Sequence, residues 1–375
     1  MYGTWAPLRY PGRAVGNPAS RRIVRCVSDA SLAPLTTLGL GGPAATLVTA
    51  ADASEIVEAV RLADATGQPL LVLAGGSNVV VADQGFRGTV VLVRSGGVVA
   101  SRRGDAIEAT VQAGHDWDAL VAEAVAEGWS GLECLSGIPG STGATPIQNV
   151  GAYGAEVAET LIDVTVYDRV ADQVVQLSAA ECGFGYRHST FKETDRYVVL
   201  SVRFRLTPQR ESQPLRYGEL TRVLGVPAGG TAPLGDVRDA VLALRRGKGM
   251  VLDPDDPDTR SVGSFFTNPV LDPAVFAELE ARLPEAPPRW EGADGRVKTS
   301  AAWLIERAGF RRGYGRDGVA ISTKHTLALT NRGDGTTAAL LSLAEEIVAG
   351  VRDAFGVTLV PEPRLVGVDF SSVPA

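Results

Sequence analysis

The sequence predicts an α+β protein of two or three domains, because one hydrophobic core rarely extends over 375 residues. Residues 46–94 show apolar runs in the order strand, helix, strand, strand. Residues 160–206 contain short alternating apolar runs, which are typical of antiparallel strands. Residues 335–356 carry one apolar stripe at helical spacing. Together these patterns favour an α+β fold.

The individual elements are predicted from local sequence. A helix is expected to begin at Asp52 or Ser54, either of which can cap it, and to end near Gly67. Strands are predicted at residues 45–50, 69–74 and 88–94, and further helices at residues 117–128, 235–246 and 298–309. The segment "DPDDPD" at 253–258 is predicted to be a domain linker, since it combines proline with like charges.

Composition excludes several classes of protein. A formal net charge of -7 argues against nonspecific nucleic-acid binding, and no apolar run approaches the roughly 20 residues that a membrane helix needs. Cys26, Cys134 and Cys182 are too few and too widely spaced for a disulfide framework or a zinc site. The histidines lie at no metal-ligand spacing from one another. We therefore expect a cytoplasmic monomer that contains no metal and binds small molecules.

Two loops are unusually rich in glycine. The first glycine loop is "GGSN" at residues 75–78, and the second is "LECLSGIPGSTGATPIQNVGAYGAEV" at residues 132–157. No lysine or arginine occurs between Arg103 and Arg169, so a phosphate bound here must be met by backbone N–H groups and hydroxyls. Neither loop matches a dinucleotide or P-loop fingerprint. Tight structural turns remain an alternative, but two such loops together favour a long diphosphate ligand.

Several motifs together resemble one enzyme family. They are "LAGGSNVVVAD", "GLECLSGIPGSTGATPIQNVGAYGAEV", "CGFGYRHSTFK", "GSFFTNPV", "KTSAAWLIERAG" and "VPEPRLVG", in that order. In this order they closely resemble the UDP-N-acetylenolpyruvoylglucosamine reductases, the MurB flavoenzymes of peptidoglycan precursor synthesis, over roughly residues 33–368. The segment "RYGEL" and the long stretch before Lys248 are similar to the type I branch of that family, in which a tyrosine loop closes over the substrate.

The resemblance implies a particular domain organisation. It implies a FAD-binding fold of the vanillyl-alcohol-oxidase (PCMH) type in two subdomains, plus a smaller α+β substrate-binding domain. Residues 31–97, with a C-terminal strand at about 358–375, would form the first subdomain, residues 98–253 the second, and residues 254–357 the substrate domain. Residues 1–30 have several arginines but no secretory apolar stretch, and are expected to be a disordered extension.

The family resemblance also assigns the cofactor site. Non-covalent FAD would lie on the two glycine loops, with NADPH as the reductant. The implied cofactor-binding residues are Gly75, Gly76, Ser77, Asn78, Ser136, Gly137, Ile138, Pro139, Gly140, Gly143, Ala144, Asn149, Gly151, Tyr153 and Gly154.

The implied reaction reduces the enolpyruvyl ether of UDP-N-acetyl-enolpyruvoylglucosamine to the lactyl ether of UDP-N-acetylmuramate. Hydride addition would leave negative charge on the carbon beside the carboxylate, so a cation, a polarising group and an acid are required. By resemblance these are Arg187 for the carboxylate, Glu362 with a raised pKa, and Ser264 as proton donor. Gly263 is expected to permit close approach of the backbone. Each could alternatively be an ordinary strand-end or turn residue.

By the same resemblance, Tyr217 and Lys248 would hold the substrate diphosphate, and Asn268 would orient the substrate or Ser264. Tyr186 would contact the substrate or the flavin. The acidity of residues 253–258 near Lys248 is unexpected for a phosphate site. Two other functions stay open: a FAD-linked oxidase or dehydrogenase of the same fold acting on a hydroxy acid or alcohol, and a non-enzymatic nucleotide-sugar binding protein.

Overall fold

The computed structural model describes residues 25–370 except 193, 284 and 293. The first part of the described chain is a four-stranded sheet with one helix and a short strand, β4, that lies outside the sheet. Its elements are β1 (Arg25–Ser31), β2 (Pro43–Ala50), α1 (Ala53–Ala65), β3 (Leu70–Leu73), β4 (Val79–Val81) and β5 (Phe86–Val93). The sheet order is β1-β2-β5-β3. Because β2, β5 and β3 run parallel, their carboxyl ends share one edge of the sheet.

The predicted helix and strands of this part are confirmed. The side chain of Asp52 accepts a hydrogen bond from the N–H of Glu55, so Asp52 is the N-cap of α1. Residues 25–30 were expected to belong to a disordered extension, and for them the prediction is wrong. They pair with β2 along most of their length. Residues 1–24 lie outside the described residues.

The middle part of the chain is an antiparallel sheet with helices at its ends, which confirms the predicted antiparallel strands. Its elements are β6 (Val98–Arg103), β7 (Ala106–Gln112), α2 (Trp117–Glu127), β8 (Trp129–Ser130), β9 (Gly151–Ala152), β10 (Ala155–Glu156), β11 (Leu161–Asp168), β12 (Gln173–Ser178), β13 (Tyr197–Pro208), α3 (Gly218–Leu224) and α4 (Leu234–Gly247). The strand order is β12-β11-β13-β7-β6, and β8 also pairs with β13. Apolar residues of α1, α2 and this sheet form one continuous core.

The last part forms two small sheets and three helices. Its elements are β14 (Ser261–Ser264), β15 (Val270–Leu271), α5 (Pro273–Ala281), β16 (Arg289–Glu291), β17 (Val297–Thr299), α6 (Ala301–Arg307), β18 (Gly315–Arg316), β19 (Val319–Ile321), β20 (Ala328–Asn331), α7 (Thr337–Phe355) and β21 (Arg364–Val366). The sheets have the orders β14-β20-β19-β18 and β15-β17-β16. Strand β21 returns to pair in parallel with β4 of the first part. The predicted stripe of α7 is confirmed, since Leu340, Ile347 and Val351 are fully buried.

The acidic segment at 253–258 is fixed in place by charged partners. Asp258 is buried, pairs with Arg332 at 2.9 Å and accepts a hydrogen bond from the Thr323 N–H. Asp256 pairs with Lys324 at 2.5 Å. These carboxylates are therefore compensated by residues of the last part and not by Lys248. The observed architecture confirms the α+β fold, while the proposed domain boundaries stay a prediction.

Candidate active site

The two glycine loops meet at the edge where the parallel strands end. The first glycine loop directly follows β3, and Gly76 has a left-handed φ of 63°. A Cβ atom on Gly75 would lie 2.5 Å from the Cα of Gly140, and one on Gly140 would lie 2.7 Å from the Oγ of Ser77. Any side chain at these glycines would therefore push the loops apart. The two loops, which were predicted to form one site, are therefore in direct contact.

The polar side chains of the second glycine loop stabilise the loop itself. Ser136 Oγ donates to the carbonyl of Glu133 at 2.6 Å, and Thr142 Oγ1 donates to the carbonyl of His115 at 3.1 Å. Asn149 is buried and donates to the Glu156 carboxylate at 2.7 Å. In this conformation the hydroxyls of Ser136 and Thr142 donate within the protein. These two hydroxyls are therefore not available to a phosphate, which would need backbone N–H groups or other side chains as donors.

The end of the second glycine loop forms a hairpin, which lies beside residues assigned to the substrate. Tyr153 and Gly154 connect β9 to β10, and both have positive φ, as a two-residue hairpin turn requires. The Tyr153 ring packs edge-on against Tyr217, with centroids 5.3 Å apart. The ammonium of Lys248 lies 5.7 Å from the centre of the Tyr153 ring. Tyr153, which the sequence assigned to the cofactor, thus lies beside two residues assigned to the substrate.

Arg187 and Glu362 form an ion pair between segments that are far apart in sequence. The Nε of Arg187 donates to Oε1 of Glu362 at 3.0 Å, and its Nη2 donates to the carbonyl of Gly151 at 3.1 Å. Gln148 Nε2 also donates to Oε1 of Glu362, at 3.2 Å. Arg187 has a left-handed φ of 51°, which is unfavourable for a residue with a Cβ atom and is often found at functional sites.

The environment of Glu362 favours its protonated form. Burial raises the pKa of Glu362, and the positive charge of Arg187 opposes the rise. The raised pKa expected from the sequence is therefore confirmed. Such a carboxyl can donate a hydrogen bond when protonated and accept one when ionised.

The residue after Ser264 forms a backbone hydrogen bond with Glu362. Ser264 ends β14, and the carbonyl of the next residue, Phe265, accepts the Glu362 N–H at 2.8 Å. Phe265 and Phe266 are buried. Gly263 was expected to allow close approach, but a Cβ atom there would have no atom within 4 Å. Its φ of 74° shows that glycine is needed for the backbone conformation instead.

The first glycine loop is connected to the same segment. The carbonyl of Asn78 accepts the Arg364 N–H at 3.0 Å, and the Asn78 side chain donates to the Glu362 carbonyl at 3.5 Å. Arg187, Ser264, Glu362 and both glycine loops therefore belong to one assembly, built from five separate stretches of chain.

Lys248 has an acidic partner that the sequence analysis overlooked. Its ammonium lies 2.6 Å from the carboxylate of Glu219, in the first turn of α3 and two residues after Tyr217. Burial lowers the pKa of Lys248, but the hydrogen bond with Glu219 and the charge interactions with Glu219 and neighbouring tyrosines together outweigh burial, so the pKa is raised overall. An anion that binds Lys248 must therefore compete with Glu219.

Tyr186 lies against Arg187, and Asn268 forms hydrogen bonds with Tyr186. The Tyr186 ring centre is 5.4 Å from the Arg187 guanidinium and 4.7 Å from the ammonium of Lys298. Burial raises the pKa of Tyr186, and Arg187 and hydrogen bonds from Asn268 oppose the rise. Asn268 Oδ1 also accepts the Ala301 N–H at 3.0 Å, which holds the start of α6. Asn268 therefore connects Tyr186 with α6.

Four further residues reach the site although no role was predicted for them from the sequence: Lys298, Glu219, Gln148 and Arg245. Arg245 precedes Lys248 by one helical turn at the end of α4, and its side chain lies against Gly137 of the second glycine loop. The spacing of Arg245 and Lys248 was the one available indication in the sequence. The other three lie within segments quoted above for the family resemblance, but no local pattern reveals their tertiary contacts.

The chain is similar in sequence to known proteins over most of its length. Residues 44–177 match the model of a FAD binding domain, and residues 255–366 match that of the UDP-N-acetylenolpyruvoylglucosamine reductase C-terminal domain. A UDP-N-acetylenolpyruvoylglucosamine reductase of Thermobifida fusca is 60% identical over 90% of this chain and 97% of its own length. The chain belongs to the UDP-N-acetylenolpyruvoylglucosamine reductase family. Another member, from Streptomyces coelicolor, is 55% identical over 96% of this chain and 95% of its own.

A solved structure supports the fold of this family member. The crystal structure of UDP-N-acetylenolpyruvylglucosamine reductase (MurB) from Thermus caldophilus matches 92% of this chain and 98% of its own, with a TM-score of 0.61 and 26% identity. Together with the FAD binding domain match, it confirms the predicted FAD-binding fold. In the described part of the chain, no helix is long and apolar enough to cross a membrane.

The residues of this reductase-family chain fit FAD. The matched FAD binding domain spans both glycine loops. Gly76, Gly137 and Gly140 have positive φ values, a backbone conformation that recurs in the anion-binding loops of proteins. The Nε of Arg245 is buried beside Gly137 and has no hydrogen-bond acceptor among the described residues. Both observations suit a diphosphate at the junction of the loops.

Proposed function

We propose that this chain reduces UDP-N-acetyl-enolpyruvoylglucosamine to UDP-N-acetylmuramate in peptidoglycan precursor synthesis, with NADPH as the electron donor and FAD as the cofactor. The observation that carries the proposal is the assembly of Arg187, Glu362 and Ser264 beside the two glycine loops. Family membership supports it, because the relatives carry the name of this reductase.

The proposed roles follow from the charge that develops on the substrate. FAD, held by the two glycine loops, would supply the chemistry of hydride transfer from NADPH to the vinyl group. Arg187 would hold the substrate carboxylate with its planar guanidinium, since a fork of N–H donors fits a carboxylate in two-point contact. Glu362, already oriented by Arg187 and Gln148, would hydrogen-bond the enolate oxygen in its protonated form.

Ser264 would deliver the proton to the enolate carbon. A serine hydroxyl is a weak acid in water, but a basic carbanion needs only an aligned donor close by. The buried Phe265 and Phe266 next to Ser264 would keep water from this position. The proton then reaches the carbon on a single face, so one lactyl stereoisomer is formed.

The remaining site residues would bind the nucleotide parts. Lys248 and Tyr217 would contact the substrate diphosphate, with Tyr153 beneath them, and Tyr186 and Asn268 would face the substrate near Arg187. The two glycine loops would hold the FAD diphosphate. Since NADPH and nucleotide sugars are small molecules of the cytoplasm, we propose that the chain acts there as a monomer, without metal, nucleic-acid or membrane partners.

The flavin spectrum tests the proposed function. The purified protein is expected to be yellow, and under anaerobic conditions NADPH should bleach the flavin band. Addition of the enolpyruvyl nucleotide sugar should then restore the colour. Bleaching by a hydroxy acid or alcohol, with no recovery on adding the nucleotide sugar, would favour the oxidase alternative. A colourless protein would favour a binding protein.

Substitution of Glu219 tests the proposed phosphate role of Lys248. Glu219→Gln removes the carboxylate that competes for the ammonium, so the KM for the nucleotide sugar should fall about two- to five-fold, in line with the ~0.2–1 kcal/mol of a half-exposed ion pair. The turnover number should change little. Glu159→Gln is the matched control, because it removes the partner of Arg216 on the same segment. An unchanged or higher KM in Glu219→Gln would separate Lys248 from the diphosphate.

A further inference from the structure

Arg245 is a half-buried cation whose Nε atom is fully buried without a hydrogen-bond acceptor among the described residues. It lies in the last turn of α4, and Nη2 donates to the carbonyl of Met250 at 2.8 Å. Its Nε is one of two buried side-chain polar atoms in the described part of the chain that make no hydrogen bond, the other being His115 Nε2. The guanidinium carries a permanent charge, and a buried N–H donor of a charged group that lacks an acceptor is unfavourable.

The nearest carboxylate does not neutralise Arg245, because other groups already hold it. Asp118 receives two hydrogen bonds from Arg238, at 2.7 and 2.8 Å, and one from the Gly137 N–H at 2.6 Å. Within the described residues, Arg245 forms no ion pair. The carbonyl end of α4 favours a cation only weakly. A counter-anion for Arg245 must therefore come from outside the chain.

The surroundings of Arg245 indicate where that anion would lie. A Cβ atom on Gly137 would be 3.4 Å from the Nε, so the absent side chain leaves the guanidinium edge next to the loop backbone. Other cationic residues act electrostatically on the same histidine, His325, as Arg245 does. Burial, together with the positive charges of Lys248, Arg312 and Arg245, lowers the pKa of His325 to about 4. An anion here would meet positive potential from several directions.

We propose that Arg245 pairs with the diphosphate of a nucleotide bound at the second glycine loop. The inference rests on the proposed function, which supplies two such groups, the diphosphate of FAD and that of the nucleotide-sugar substrate. It revises the expectation that this loop binds phosphate without basic side chains. That expectation followed from the absence of lysine and arginine between Arg103 and Arg169, but the fold brings Arg245 to the loop from α4.

Two variants and one control test the role of Arg245. Arg245→Met removes the charge and keeps much of the apolar volume, and Arg245→Lys restores a charge without the planar fork. Arg246→Met is the control, since Arg246 is the exposed neighbour on the same helix. FAD affinity of the flavin-free full chain would be measured by fluorescence quenching, and UDP affinity of the holoenzyme by calorimetry. Thermal unfolding of the flavin-free chains would be recorded in parallel.

The expected result is opposite in sign for stability and for binding. The flavin-free Arg245→Met chain should unfold at the same or a higher temperature than the parent, because a buried charged donor without an acceptor is removed. Its affinity for FAD or for UDP should fall about ten- to a hundred-fold, the effect of losing a charge-assisted hydrogen bond. Arg245→Lys should recover part of the loss, and Arg246→Met should behave as the parent.

The two arms identify the ligand. Loss of FAD affinity alone assigns Arg245 to the cofactor, and loss of UDP affinity alone assigns it to the substrate. Parent-like affinities for both in Arg245→Met would overturn the proposal while leaving the proposed function intact. Conversely, normal FAD and UDP binding by the parent, with no bleaching by NADPH, would overturn the proposed function and not the role of Arg245. A lower unfolding temperature of the flavin-free Arg245→Met chain would show a purely structural arginine.

Discussion

Ser264→Ala should slow formation of the reduced nucleotide sugar by about 10²–10⁴-fold, the usual contribution of a positioned general acid. Reduction of the bound flavin by NADPH should stay within about two-fold of the parent, since that half reaction requires no proton at the enolate carbon. The two rates are separated by stopped-flow absorbance, first with NADPH alone and then with substrate added to the reduced enzyme. The split between half reactions identifies the acid.

Two further variants make the Ser264 result specific. Ser264→Cys retains an ionisable donor at the same position and should recover part of the second half reaction. Thr267→Ala lies three residues away, on the far side of the two phenylalanines, and its hydroxyl donates only to the Val360 carbonyl at 3.4 Å. It should leave both halves unchanged. Equal slowing of both half reactions in Ser264→Ala would remove Ser264 from the acid role and indicate damage to the flavin site.

Elements with regular local patterns were the ones predictable from the sequence. Helix α1 has its capping aspartate and apolar face within one short segment, and α7 carries its whole apolar stripe in consecutive turns. Such features depend on contacts a few residues apart, so periodicity reveals them. Strand β1 was missed because its burial pattern is set by pairing with β2, and the basic residues before it suggested an extension.

The site could be predicted only in part, for a related reason. Arg187 and Glu362 are 175 residues apart in sequence, and nothing in the composition of either segment indicates their contact. The family resemblance predicted a role for both residues. It did not predict the hydrogen bond between them or the contribution of Gln148. Glu219 lies in the segment "RYGEL" but was given no role, and Arg245 lies outside the motifs that carry the resemblance. Their importance follows from one short ion pair and one unfilled hydrogen-bond donor, which exist only in the folded chain.

Arg187→Gln should lower kcat/KM for the nucleotide sugar by about 10²–10³-fold, the cost of removing one preorganised donor from developing negative charge. Arg187→Lys should be nearly as impaired, because one ammonium cannot replace the planar fork that contacts both Glu362 and the Gly151 carbonyl. NADPH-dependent bleaching of the flavin should persist in both. Steady-state rates and the anaerobic spectrum measure these quantities.

The same substitution has a consequence for stability that depends on pH. Burial raises the pKa of Glu362 and Arg187 opposes the rise, so removing Arg187 should raise that pKa further. A carboxyl whose pKa is higher in the folded than in the unfolded chain contributes stability below its unfolded pKa, and this contribution is lost as the pH rises through the folded pKa. Arg187→Gln should therefore be more destabilised, relative to the parent, at pH 8 than at pH 5.

A second substitution tests whether Glu362 causes that destabilisation. In Arg187→Gln/Glu362→Gln the buried carboxylate is absent, so the unfolding temperature should no longer fall more steeply with pH than in the parent. Glu362→Gln alone should show little pH dependence from this site. If Arg187→Gln lost the same stability at both pH values, the ion pair would be a packing contact and not a charge balance. A pH-dependent loss that Glu362→Gln relieves would instead show that Arg187 controls the protonation of Glu362, the property on which its proposed hydrogen bond to the enolate depends.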